Sequence, residues 1–252
     1  MIDEIKYAFG LDGSRYWSSN GLADFKVLAQ ARKPTVRFLA FRATISWGYI
    51  DSFFAYHWGE AKKIFDYRKE LVTGAPDDFY RPVGRMAYGV IYPGENAGNQ
   101  ARHLLKVVTD TKDFDWTHDR LVIDAELDHG YSRARITDAI NGYGEVLKSE
   151  TGMLPLLYSR YYWLKQYTIF DSLLDFDIWY AQYLTPIPGI RYRKEYPPPP
   201  NPVFGGKWKA HQTAERGDPR PYGVTGKQVI DYDRWNGGAD DVFAYFAFEQ
   251  GS

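Results

Sequence analysis

Cysteine is absent from the 252-residue chain, which removes thiol nucleophiles, disulfides and thiolate metal sites from consideration. Long apolar runs are absent too, and no stretch approaches the ~20 residues that a bilayer crossing needs. The opening Met1-Ile2-Asp3-Glu4-Ile5-Lys6 lacks a basic start followed by an apolar run, so no signal peptide is read there. Neither sign of charge dominates, with 31 Lys and Arg against 32 Asp and Glu. A phosphate-binding surface is expected to be basic, so nucleic acid is not an expected partner. There is no G-x-S-x-G elbow and no glycine-rich phosphate loop, which leaves serine hydrolysis and nucleotide chemistry without support. The five histidines, His57, His103, His118, His129 and His211, are not spaced as ligands on one helix face. No metal and no other cofactor is expected.

Aromatic residues are what the chain has in plenty: 21 Tyr, 8 Trp and 15 Phe. Most of them suit a ring-rich core. Tyr and Trp outnumber Phe, however, and rings with a polar edge also fit a groove that is both flat and wet.

Short β-rich runs alternate with helical ones. Tyr7–Leu11, Val36–Ala43, Arg85–Tyr92, Arg120–Ala125, Leu154–Tyr158, Phe176–Ala181, Lys209–Gln212 and Gln228–Asp231 read as strands. Leu22–Arg32, Phe53–Leu71 (with an interruption placed at Gly59), Gln100–Val108 and Ser132–Glu150 read as helices. In the last of these, Ile136, Ile140, Tyr143 and Leu147 share one face. This alternation predicts an α/β fold with parallel pairing, closed as an irregular TIM-like (β/α) barrel of about eight strands. One domain over residues 1–252 is expected. The proline-rich stretch from Tyr196 to Pro202 is placed in a stiff rim loop at about 192–206.

The sharpest local signal is Leu121-Val122-Ile123-Asp124-Ala125-Glu126, where apolar residues lead into acids at a strand end. Strand residues two apart face the same side, with Cα atoms ~6.5–7 Å apart. Two carboxylates held that close cannot both ionise freely, so one is favoured as a proton donor. Glycoside hydrolysis uses such a pairing: one carboxyl protonates the departing oxygen while the other stabilises positive charge. Asp12 after Phe9-Gly10-Leu11 and Asp231 after Val229-Ile230 are read as further strand-end acids. First and last strands are neighbours in a closed barrel, so both acids are expected at the same mouth. A solvated acidic loop is the bland alternative for a lone D-x-E, and four acids at strand ends weigh against it.

Fragments in fixed order resemble the family-25 glycoside hydrolases, the Chalaropsis-type lysozymes. Gly10-Leu11-Asp12-Gly13-Ser14 with Trp17 resembles the opening G-x-D-x-S before a Trp. Phe38 to Thr44 resembles the second strand, with Arg42 where Lys is usual, and Asp51 follows as the acid before a helix. Ala87-Tyr88-Gly89-Val90 resembles the Y-H-F strand, Gln100-Ala101 the start of the next helix, and Ile123-Asp124-Ala125-Glu126 the D-x-E signature. Leu156-Leu157-Tyr158-Ser159, Ile178 to Tyr183, Trp208 to Gln212 and Ile230 to Trp235 resemble the closing segments. Gly89 stands where His is usual, and His211-Gln212 where Trp-Gln is usual.

The resemblance implies eight strands with about five helices, and cleavage of the β-1,4 bond after N-acetylmuramic acid in bacterial peptidoglycan. Glu126 would be the general acid. Asp124 would stabilise positive charge or orient the substrate's N-acetyl group, and Asp12 and Asp231 would hold the pair's protonation and geometry. Tyr88, Tyr158 and Trp179 are candidate groove walls; Gln182 and Gln212 are candidate amide contacts, and Arg42 is a further binding candidate. A monomer without membrane insertion is expected, made in the cytoplasm and acting on the wall as a phage endolysin or virion-associated enzyme. Two alternatives remain open: a barrel that binds wall glycan without cutting it, and a hydrolase of another polysaccharide such as chitin.

Overall fold

A computed structural model describes residues 7–183, 208–226 and 229–248. Within them lie nine strands: β1 (Phe9–Gly13), β2 (Val36–Ile45), β3 (Tyr49–Ile50), β4 (Gly84–Val90), β5 (Arg120–Asp124), β6 (Leu156–Arg160), β7 (Ile178–Ala181), β8 (Trp208–Gly217) and β9 (Ile230–Trp235). Seven α-helices accompany them: α1 (Phe25–Gln30), α2 (Phe54–Lys62), α3 (Ile64–Leu71), α4 (Ala97–Asp110), α5 (Arg133–Thr151), α6 (Tyr161–Tyr167) and α7 (Ala239–Tyr245). The sheet runs β1-β9-β8-β7-β6-β5-β4-β2, and β1 also pairs with β2, so eight strands close into a barrel. β3 is a short hairpin partner on the end of β2.

Side-chain alternation along each strand separates two cores. Phe38, Met86, Val122, Leu156, Trp179 and Trp235 fill the barrel interior. Their chain neighbours Leu39, Ala87, Ile123, Leu157 and Tyr180 point outward into the layer shared with the helices. Interior space is tight at Gly10, where a Cβ would stand 2.3 Å from the Phe38 ring, so no larger residue fits there. The longest helix, α5, starts on Ser132, whose hydroxyl accepts from the Arg135 N–H at 3.3 Å. It stops at Gly152, whose φ of 77° only glycine adopts cheaply. Its buried face carries Ile136, Ile140, Tyr143 and Leu147, as the spacing predicts.

Four features depart from the sequence reading. The helix expected over Phe53–Leu71 divides at Lys63, and Gly59 lies inside regular helix. Helices α6 and α7 are additional, so the described residues hold seven helices where about five are expected. The last strand begins at Ile230 and runs antiparallel to both β8 and β1. Finally, α7 closes the lower end of the barrel: Val242 and Phe246 join the interior core, and Phe246 lies against Gly84 at the start of β4. The proline-rich stretch lies outside the described residues.

Candidate active site

With its floor closed by α7, the barrel opens at the end where the parallel strands finish. Asp124 is the last residue of β5, and Glu126 follows two residues later; both line one mouth cavity of about 230 Å³. Asp12, Arg42, Tyr88, Tyr158, Trp179 and Gln212 line the same cavity, as does Asp231. Gln182 does not. It lines an adjoining trough of about 590 Å³ together with Glu126, Arg160, Tyr161, Tyr162 and Tyr183. Glu126 and Tyr183 border both spaces, so the acid stands where cavity and trough meet.

Asp231 reaches the mouth by a different route from the one expected. Sequence reading places it at the exit of a parallel strand, whereas it sits near the start of the reversed strand β9, paired with Asp12 on β1. Reversal brings a second acid inward, because residues two apart share a face. That acid is Asp233, opposite Gly10 and Gln212 and fully buried. Sequence reasoning left it without a role. The signal was present in Asp231-Tyr232-Asp233-Arg234-Trp235, whose alternation puts 231, 233 and 235 on one side.

The interior acids are tied together by hydrogen bonds. Tyr158 OH donates to Gln212 Oε1 at 2.9 Å, and Gln212 Nε2 donates to Asp12 Oδ2 at 2.6 Å. Trp179 Nε1 donates to Asp233 Oδ1 at 2.8 Å. Gln212 therefore spends its amide on two protein partners. Trp179 and Tyr158, both buried, form the cavity floor and present little open ring face. The exposed rings at the rim are Tyr16, Tyr162 and Tyr183. Arg42 is fixed by Asp51, whose Oδ2 accepts from Arg42 Nε at 3.1 Å, from Arg42 Nη2 at 3.0 Å and from the Arg15 N–H at 2.9 Å.

Protonation follows from burial and crowding. Burial first, then the Glu126 and Asp12 charges, push the Asp124 carboxyl well above the usual carboxylate range. Its Oδ1 has no hydrogen-bond partner among the described residues. Asp233 is likewise pushed well up, by burial and then by Asp12, with the Trp179 N–H opposing. Glu126 is raised by burial, but Arg160 Nε stands 3.0 Å from its Oε1 and pulls the other way. The mouth thus holds two acids that burial raises, Asp124 strongly and Glu126 against the pull of Arg160.

Histidine takes no part in this cluster. His57 is packed among Trp17, Phe25, Phe41 and Phe53, and burial lowers it to about 4. His211 stacks on Tyr180 and sits between Arg234 Nε at 3.1 Å and the Gln182 carbonyl at 2.8 Å. An arginine donating to Nδ1 leaves the proton on Nε2, so this ring is neutral, and burial holds it near 3. Among the described residues no group of three or more His, Asp or Glu side chains is placed to hold a metal ion.

Comparison with known proteins fits this geometry. No curated protein sequence matches the chain. Among solved structures it resembles a muramidase from Acremonium alcalophilum (TM-score 0.67, 17% identity, 96% of this chain and 100% of that one). It also resembles a family 25 glycosyl hydrolase from Bacillus anthracis (TM-score 0.66, 19% identity, 99% and 96%). A third likeness is to the catalytic domain of an endolysin from a Listeria monocytogenes bacteriophage (TM-score 0.66, 15% identity, 96% and 98%). At these identities the likeness carries the fold. The sequence profile described as "Glycosyl hydrolases family 25" matches residues 82–218, over half of the chain and including Asp124, Glu126, Tyr158, Trp179 and Gln212. The chain belongs to family 25 of the glycosyl hydrolases.

Proposed function

We propose that this protein is an N-acetylmuramidase, cleaving the β-1,4 bond between N-acetylmuramic acid and N-acetylglucosamine in bacterial peptidoglycan. One observation carries the reading: Asp124 and Glu126 open onto one mouth cavity, with Glu126 at its junction with a tyrosine-rich trough. A glycan strand laid through cavity and trough has its scissile oxygen beside Glu126, which acts as general acid. Asp124, deeper and more strongly shielded, either stabilises the positive charge developing at the anomeric carbon or orients the substrate's N-acetyl group to attack it. Asp12, Asp231 and Asp233 hold the proton inventory of the mouth, and Gln212 and Trp179 fix their positions through the bonds described above. Tyr88 and the rim tyrosines Tyr16, Tyr162 and Tyr183 supply ring edges and faces to the sugars.

The test is digestion of purified peptidoglycan followed by mass spectrometry of the soluble muropeptides. New reducing ends on N-acetylmuramic acid are expected, and they should disappear with Glu126→Gln. Binding to walls without release of reducing ends would replace the enzyme with a glycan-binding barrel. Faster cleavage of chitin oligomers than of walls would move the substrate to another polysaccharide.

A further inference from the structure

Arg160 is the last residue of β6, and its guanidinium bonds Glu126 across the entrance to the trough. The contact is an odd one for a general acid, because a cation 3.0 Å away favours the carboxylate over the proton donor. It is also weakly held: the Arg160 side chain is 56% exposed and that of Glu126 28% exposed, so solvent screens the pair. The charged groups that share a space with Glu126 are Asp124 at the end of β5, Asp128 beyond it, Arg160 on β6, and Asp12, Arg42 and Asp231 across the mouth. Among the described residues of the trough, Arg160 is the sole cation, while Glu126 and Asp128 are acids. Within this lining Arg160 is therefore the one positive charge that can draw an anionic group into the trough, and its planar fork matches a carboxylate.

We propose that Arg160 is a substrate-displaced latch on the acid: a carboxylate carried by the glycan strand draws the guanidinium off Glu126 and leaves Glu126 free to hold a proton. This rests on the muramidase reading and adds a source of selectivity to it. The exchange balances. Arg160 trades one carboxylate for another, and Glu126, which lines the open trough, takes up one proton from solvent and later gives it to the departing oxygen. Muramyl glycan supplies a carboxylate from the lactyl group where the stem peptide is removed, and from the stem peptide where it is present. Neutral N-acetylglucosamine oligomers supply neither, so with them the latch stays closed.

Wild type, Arg160→Met and Arg160→Lys are compared on three substrates: intact walls, peptide-stripped muramyl glycan, and N-acetylglucosamine oligomers. Arg160→Met is expected to lower kcat/KM on the carboxylate-bearing strands about tenfold and to raise turnover of the neutral oligomers about tenfold. Arg160→Lys should restore part of the wild-type preference. A loss confined to stripped glycan assigns the lactyl carboxylate, and one confined to intact walls assigns the stem peptide. An unchanged substrate ratio, or a fall on all three substrates alike, overturns the latch and leaves the muramidase standing. Wild-type protein that leaves walls and stripped glycan uncut overturns both.

Discussion

The indole N–H of Trp179 on β7 donates to Asp233 on β9 at 2.8 Å, inside the barrel and beneath the acids of the mouth. This bond lowers a carboxyl that burial and Asp12 both push up, so it sets how many protons the interior acids share. Trp179→Phe keeps an aromatic ring, though a smaller one, and removes the donor. Leaving one oxygen of a buried carboxyl unpartnered is expected to cost about 1–3 kcal/mol of stability. The pH–activity profile on purified walls should move upward as Asp233 holds its proton more tightly. A variant with wild-type profile and melting temperature would remove Asp233 from the proton network.

Stability and activity should separate at the central acids. Glu126→Gln and Asp124→Asn are each expected to reduce wall cleavage by at least ~10²-fold, the scale of acid–base catalysis. Asp124→Asn should also be more stable than wild type at neutral pH, by about 1–3 kcal/mol, and so melt higher. A neutral amide removes the cost of a buried carboxyl whose Oδ1 lacks a partner among the described residues. Calorimetry of the two proteins decides this, and a lower melting temperature for Asp124→Asn contradicts it.

The same substitution carries a pH signature. Asp124 has a raised folded pKa, so the native chain holds this proton more tightly than the unfolded chain does. The resulting penalty is absent below the unfolded value of ~3.9 and grows as pH rises toward the folded one. The stability difference between Asp124→Asn and wild type should therefore be near zero at pH 4 and largest near neutrality. Urea midpoints measured across that range test it, and a difference independent of pH would refute the assignment.

His57 works in the opposite direction. Its folded pKa is lowered to about 4, so between there and 6.5 the unfolded chain binds a proton that the native chain does not. Stability from this ring is fully present above pH 6.5 and is lost on acidification, on the order of 3 kcal/mol by pH 4 at 1.36 kcal/mol per unit. His57→Gln should flatten the acid limb of the stability curve. A limb of unchanged steepness would shift the cause to other groups.

Gly89 stands where the family pattern has His, and the space such a side chain would need is taken. A Cβ there would lie 2.5 Å from the Tyr143 hydroxyl and 2.8 Å from Thr44 Oγ1. Gly89→His is expected to destabilise by about 1–3 kcal/mol through overpacking. Adding Tyr143→Phe should recover part of that loss, and a thermal melt of single and double variants reads the coupling.

Much of this was legible before the fold was known. Strands β2, β4 and β5 are runs of apolar residues with sharp ends, and Ser132 and Gly152 mark both limits of α5, so period and punctuation sufficed. The D-x-E at the end of β5 gave the mouth, because alternation alone puts 124 and 126 on one face. What escaped depends on contacts distant in sequence. The reversal of β9 is set by pairing with β1 more than two hundred residues earlier, and the role of Asp233 depends on that reversal. Helix α7 is short and polar at its start, and only the open barrel floor makes sense of Val242 and Phe246. Nothing in the local sequence around Arg160 indicates that its head group bonds Glu126, since that contact joins two neighbouring strands.

The floor formed by α7 has a practical corollary. Ala8 donates its N–H to the Gly237 carbonyl at 2.8 Å, and Phe246 packs under Gly84, so both ends of the described chain depart from the closed end of the barrel. A surface anchor or a fluorescent tag tethered at Tyr7 or Phe248 would attach on the side away from the acid-lined mouth. The molecule can then be immobilised on a bead with its working face turned outward.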